Sequence, residues 1–219
     1  AVSVVCKYKT LLISTEMTAE QISMRMDVLI GNLKGFKLSH KALRSGEGLD
    51  EEEYRRFLLD NSSKNLFVCD HIGREAITLS GIASLVRKHR PSLLVIDGID
   101  LMSVGQKSSA VWEKMIDLFY GVKDLCRTNL ISAVISNQAN RGAGDLFKPP
   151  RASDVAFGDG LIRASDIAIS MALVEHEAKR RLIQFQKFRD GEYPQSSEGR
   201  AINSVKLDWD VDIGKITEV

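Results

Sequence analysis

Leu93-Leu94-Val95-Ile96-Asp97-Gly98, just after Pro91, is the stretch whose reading decides the fold. Four apolar residues run straight into an aspartate and a glycine. A continuous apolar run of this length fits a strand buried on both faces of a parallel sheet. An aspartate at the carboxyl end of such a strand sits where open α/β sheets bind ligands, and there it can hold a metal ion against phosphate oxygens. Asp97-Gly98 is also an ordinary turn pair, so the neighbouring strands must decide between the two readings.

Working outward, Thr10-Leu11-Leu12-Ile13-Ser14-Thr15 reads as a second buried strand that runs into Glu16. Thr18-Ala19-Glu20-Gln21 is a capping box, a threonine N-cap with glutamine three residues on. The helix it starts should carry Ile22, Met26, Leu29 and Ile30 on one face and end at Gly31-Asn32. Leu33 to Asp50 reads as a polar connection, and Leu49 to Asn61 as a helix with an acidic start. Leu66 to Asp70 reads as a third strand, and Leu79 to His89 as a helix stopped by Pro91. Trp112, Met115, Ile116, Phe119, Val122 and Leu125 repeat at three and four and predict a helix over Ala110 to Arg127. Ile131 to Ile135 is a further strand, leading to Ser136-Asn137-Gln138. Gly142 to Arg151 is a glycine- and proline-rich loop, Asp154 to Arg163 a stretch holding Gly158-Asp159-Gly160, and Ile167 to Ala172 another strand. Leu182 to Phe188, Val205 to Trp209 and Lys215 to Val219 then alternate, as half-exposed antiparallel strands do. The expected fold is α/β: a mostly parallel twisted sheet flanked by helices, with an antiparallel C-terminal extension, all in one domain over residues 1–219.

The totals narrow the function. The chain has 219 residues with 44% hydrophobic and 27% charged residues, ordinary for a globular protein. A formal net charge of +1 leaves any nucleic-acid contact to local patches. No apolar run approaches the roughly 18 residues that span a bilayer, so no membrane is expected. The three cysteines form no CxxC pair, which points to a reducing compartment, and the four histidines show no metal-binding spacing.

Three predicted strand ends carry polar groups: Glu16, Asp97 and Gln138. In a doubly wound sheet such ends converge on one edge. A carboxylate there can orient and deprotonate water. An aspartate can hold Mg²⁺ through the ion's own waters. An amide can sense a terminal phosphate.

These stretches resemble a known family. Leu12-Ile13-Ser14-Thr15-Glu16-Met17-Thr18-Ala19-Glu20-Gln21, with Met24-Arg25, is similar to the second-strand motif of DnaB-type replicative helicases, especially phage-encoded ones. Leu94-Val95-Ile96-Asp97-Gly98-Ile99-Asp100-Leu101-Met102 resembles their Walker B segment, and Ile135-Ser136-Asn137-Gln138-Ala139-Asn140-Arg141 their glutamine motif. Ser153-Asp154-Val155 through Gly160 to Ala164-Ser165-Asp166 resembles the DNA-facing loop and the strand after it. Phe185-Gln186-Lys187-Phe188-Arg189-Asp190-Gly191 resembles the Lys-x-Arg element placed in a neighbouring subunit's site.

The resemblance implies a RecA-like P-loop NTPase core that uses ATP and Mg²⁺. Glu16 would activate water, Asp97 hold Mg²⁺ through water, and Gln138 couple phosphate to the DNA loops. Arg189, with Lys187, would act across a subunit boundary as an arginine finger. A solvated strand face is the plainer account of that pair, since alternation puts both on one side. The resemblance also implies a homohexamer around single-stranded DNA in a bacterial or phage-infected cell, with primase and a helicase loader as family-level partners.

DNA contact would fall to Arg141, Lys148 and Arg151 around the loop, and to Gly158 and Gly160, where a backbone can approach phosphate closely. Phe147 and Phe157 are the only candidate stacking aromatics, with core or hinge roles equally open. Lys179-Arg180-Arg181 reads as a solvated helix end.

One element of the family pattern is missing. No Gly-x-x-x-x-Gly-Lys-Ser/Thr phosphate loop occurs. Gly214-Lys215 is followed by Ile216, and Gly105-Gln106-Lys107-Ser108 lacks a second glycine before its lysine. The chain is therefore expected to start after that loop and not to hydrolyse ATP by itself. Two alternatives stand beside the helicase: a RecA- or RadA-like recombinase ATPase, and a non-hydrolysing DNA-binding or scaffold relative.

Overall fold

A parallel sheet forms around the two apolar runs. The computed structural model describes residues 1–61, 65–70, 77–102, 111–138, 146–154, 158–189, 195 and 203–219. After a short helix α1 (Val2–Val5) come β1 (Thr10–Ser14), α2 (Ala19–Leu33), α3 (His40–Ser45), α4 (Glu51–Asp60), β2 (Leu66–Asp70), α5 (Leu79–His89), β3 (Leu93–Asp97), α6 (Val111–Asn129) and β4 (Ser132–Ile135). The order across the sheet is β2-β1-β3-β4, and every pair is parallel. Then come α7 (Gly158–Ala164), β5 (Ile167–Val174), β6 (Glu177–Phe188), β7 (Ser204–Asp210) and β8 (Lys215–Glu218). These four strands make a second sheet in sequence order. The chain divides into two compact units, Ala1–Ser103 with Asp124–Ser136 and Asp210–Lys215, and Val104–Lys123 with Asn137–Trp209 and Ile216–Val219. No helix among the described residues is long and apolar enough to cross a membrane.

In the first unit, β1 and β3 pair in register, Leu11 opposite Leu94 and Ile13 opposite Ile96. In-register partners share a face, and all four side chains are buried. Leu12 points the other way, into a cluster that holds Ile22, Met26, Val28, Ile30 and Phe57 from α2 and α4, with Leu38 from the connection between α2 and α3. The capping box at Thr18 forms as read: Gln21 N–H donates to Thr18 Oγ1 at 3.2 Å, and Thr18 N–H to Gln21 Oε1 at 3.1 Å. Asp70 at the end of β2 adds a third acceptor, taking the Ala19 N–H at 2.8 Å. A carboxylate at a helix start satisfies an orphan amide and the dipole together.

Gly31-Asn32 does not end α2, which runs on to Leu33. Gly31 is a close-approach residue: a Cβ there would lie 2.5 Å from Leu38 Cδ1. Asn32 is a cross-link, the two hydrogens of its Nδ2 shared among Val28 O, Leu38 O and Ile213 O. The polar connection after α2 holds a further helix, α3, capped by Ser39 Oγ on the Ala42 N–H.

In the second unit the antiparallel extension starts one strand earlier than read. Ile167 onward is not part of the parallel core, because β5 pairs antiparallel with β6. Its apolar run is two-faced: Ser170 and Ala172 are buried while Ile167, Ile169 and Met171 are exposed. Lys179-Arg180-Arg181 lies in strand β6 and not at a helix end. There Arg180 Nε donates to Asp208 Oδ1 on β7 at 3.0 Å, and Arg181 lies over the Trp209 ring.

Candidate nucleotide site and basic cluster

The connection from β1 leads to β2 on one side, and β3 lies on the other side with β4 beyond it. The strand order therefore reverses between β1 and β3, and the crevice outside their carboxyl ends is the position where such sheets bind ligands. Ser14 pairs with Asp97, so Thr15-Glu16 and Asp97-Gly98 leave the sheet side by side.

Two hydroxyls tie these ends together. Thr15 Oγ1 lies 2.7 Å from Gly98 O and 3.0 Å from Asp97 O and shares its one proton between them. Ser136, the residue after β4, accepts from the Gly98 N–H at 2.9 Å and donates to Asp97 Oδ1 at 2.7 Å. The Asp97 carboxylate is thereby held at the rim, half-buried, while Glu16 is exposed.

Gly98 has φ +84°, the left-handed conformation that favours glycine. A Cβ there would collide with Thr15 Oγ1 and lie 3.1 Å from Glu16 Oε1. The Glu16 side chain thus folds against the backbone next to Asp97. Gln138 follows Ser136 by two residues and is exposed.

The donor set suits Mg²⁺. Among the described residues no three His, Cys, Asp or Glu side chains cluster into a metal cage. An ion that keeps waters and takes phosphate oxygens needs only one or two carboxylates, and Asp97, with its rotamer fixed by Ser136, supplies one.

Lys187 and Arg189 stand in a different setting from the solvated strand face. Both meet the C-terminal end of α7, where helix carbonyls lack partners. Lys187 Nζ donates to Ile162 O at 2.7 Å, Arg163 O at 3.1 Å and Ser165 O at 2.7 Å. Arg189 donates to Arg163 O at 3.0 Å and pairs with Asp166 Oδ1 at 2.9 Å. Lys123, from α6, donates to Ala164 O at 2.7 Å and Asp166 Oδ1 at 2.8 Å. Burial pulls the Lys187 ammonium below its ordinary pKa, and the Arg189 and Lys123 charges act in the same direction against Asp166. The hydrogen bond from Lys123 holds the Asp166 carboxyl below the usual range, aided by the surrounding cations.

The expected DNA-contacting residues separate. Arg141 and Phe157 lie outside the described residues. Lys148 is exposed and, with Arg151, Gln184 and Gln186, lines an open polar cleft of about 610 Å³. Phe147 is 42% exposed, so it is no core residue. Gly158 opens α7, and Gly160 lies inside that helix, not in a loop. Gly160 is buried, and a Cβ there would lie 2.8 Å from Ile116 Cγ1, so its lack of a side chain lets α7 close onto α6.

Sequence reasoning missed four residues of these two constellations: Thr15, Ser136, Lys123 and Asp166. The first two were readable as hydroxyls at strand ends. Lys123 and Asp166 are 43 positions apart and carry no local signal.

Comparison with known proteins assigns the chain to a family. Residues 1–197 match the family described as DnaB-like helicase C terminal domain. Two solved structures are similar. One, described as an ATPase domain, has a TM-score of 0.78 at 16% identity, with 98% of this chain and 75% of that chain covered. The other, a DnaB-like replicative helicase studied with primase, has a TM-score of 0.76 at 16% identity, with 98% of this chain and 51% of that chain covered. No curated protein sequence matches the chain. At such identities the structural likeness speaks for the fold, and the expected α/β core with an antiparallel extension holds. The family match spans β1, β3 and β6 with Arg189 just after it: the chain belongs to the family of DnaB-like helicase C-terminal domains.

Proposed function

We propose that this chain is the motor of an ATP-driven replicative DNA helicase, working as a ring, most simply a homohexamer, with nucleotide at subunit boundaries and single-stranded DNA in the channel. The observation that carries the reading is the Glu16 side chain lying against Gly98, beside Asp97, at the strand-order reversal. Glu16 is the group in position to orient a water and take its proton. Asp97, its rotamer held by Ser136, would hold Mg²⁺ through the ion's waters. Bound Mg²⁺ supplies charge neutralisation on the phosphates. Gln138 follows directly on the β4 end that carries Ser136, which suits a residue relaying the state of the site to the DNA-contacting segments. Arg189 is the proposed finger, an arginine in trans being worth about 10³-fold or more in phosphoryl transfer.

Contact with the DNA backbone is assigned to Lys148, Arg151, Arg141 and the start of α7 at Gly158. Sequence-independent tracking needs only such phosphate contacts. Gly160 serves the packing of α7. Primase is the partner this reading favours, because a relative of the same fold was solved with attention to that interaction.

Glu16→Gln in the intact protein tests the reading. It should bind ATP and single-stranded DNA normally while turnover falls by about 10²-fold or more. Undiminished turnover would remove Glu16 as the base.

A further inference from the structure

The cations around the end of α7 pose an electrostatic problem. Lys123, Lys187 and Arg189 all donate to carbonyls between Ile162 and Ser165. Carbonyls at a helix end attract cations, but three cations in one place repel one another. Asp166 answers this: its Oδ1 bridges Lys123 and Arg189. The Arg189 N–H also donates to Asp166 O at 2.9 Å, one step beyond the Ile167–Phe188 pair of the β5–β6 ladder. Backbone and side chain therefore hold Arg189 to Asp166 together.

The three cations are not equivalent. An ammonium has three donors, and Lys187 has three carbonyl acceptors, so its hydrogen-bonding capacity is filled. A guanidinium has five donors. Among the described residues Arg189 uses one through each of two nitrogens, and its side chain is 39% exposed.

We propose that Asp166 is a positioning residue for Arg189, with Lys123 as its second counter-ion and Lys187 as the clamp that fixes the pair to the end of α7. The proposal rests on the reading of Arg189 as the finger. On this account Arg189 is presented with its orientation set by Asp166 and the end of α7. Because α7 starts at Gly158, in the stretch assigned to DNA contact, a movement of α7 carries the finger with it. The plainer account is that Asp166 and Lys123 only stabilise a helix end.

A double-mutant cycle in the intact protein separates these, read as DNA-stimulated ATPase kcat and KM. Asp166→Asn should lower kcat by about 10- to 100-fold, the upper end being the cost of a 1 Å misplacement of a reacting group. The KM for ATP and the assembly state should stay within about twofold of wild type, since uniform binding is untouched. Asp166→Glu should recover most of the loss. In an Arg189→Ala background Asp166→Asn should cost nothing more, because the group it positions is gone. Wild-type kcat in Asp166→Asn, or the same loss in both backgrounds, overturns the proposal. Should Asp166→Asn fail to fold, Lys123→Met serves in the same cycle, with the same dependence on Arg189 expected and additivity again fatal. If Arg189→Ala alone leaves turnover intact, the finger reading fails first and this proposal falls with it, a result distinct from failure of the positioning alone.

Discussion

Replacing Gly98 with alanine tests whether the rim between β1 and β3 is built as described. At φ +84° an alanine pays the left-handed penalty of about 1–2 kcal/mol. Its Cβ also collides with Thr15 Oγ1, which must rotate away and abandon Gly98 O and Asp97 O. Losing that hydrogen bond costs about 1 kcal/mol, and up to about 3 if a carbonyl is left buried without a partner. The sum is about 2–5 kcal/mol, which for a chain of this size lowers Tm by about 4–20 °C. Urea and thermal unfolding followed by circular dichroism would read it. Thr15→Ala alone should cost about 1 kcal/mol, but added to Gly98→Ala it should cost nothing further, because the hydroxyl has already been displaced. A Tm shift under about 2 °C for Gly98→Ala, or full additivity of the two substitutions, would refute the packing argument.

Asn32→Ala removes one amide that serves three carbonyls, and should destabilise by about 1–3 kcal/mol in urea unfolding. Gly160→Ala forces a methyl against Ile116 and should cost about 1–3 kcal/mol, offset by about 1 from alanine's helix propensity; Ile116→Ala in the same chain should recover most of the loss. Burial, the hydrogen bond to Asp27 and the Asp27 charge together push the Tyr54 phenol up to about 12. The folded value lies above the unfolded value of about 10, so the native state holds this proton more tightly. The associated stability is complete below about pH 10 and lost as pH rises through about 12. Absorbance at alkaline pH should show one tyrosine ionising late, and Asp27→Asn should bring it back toward the ordinary value.

Local signals were legible where the interaction that makes an element is local. The apolar runs of β1 and β3 and the Thr18–Gln21 box each contain their own reason. Gly31-Asn32 misled because what these residues meet lies beyond the helix: Leu38, in the following connection, fills the space a Cβ would take, and Ile213 O lies 181 positions from Asn32. The Ile167 run misled because composition marks a strand and not the direction of its partner. Gly158-Asp159-Gly160 fell in a stretch that resembles a DNA-facing loop, yet Gly160 lies within α7, where its missing side chain lets the helix approach Ile116.

The same division runs through the site. Glu16 and Asp97 could be named from sequence because each ends an apolar run, and a parallel sheet delivers such ends to one edge. Their adjacency came from elsewhere: the in-register pairing of Ser14 with Asp97, the proton of Thr15 and the reach of Ser136 across from β4. Lys187 and Arg189 were visible as an alternating pair, but what they touch was not. A residue's own chemistry is written in the chain, whereas the company it keeps depends on which distant backbone carbonyls and carboxylates folding brings within about 3 Å, the range of a hydrogen bond.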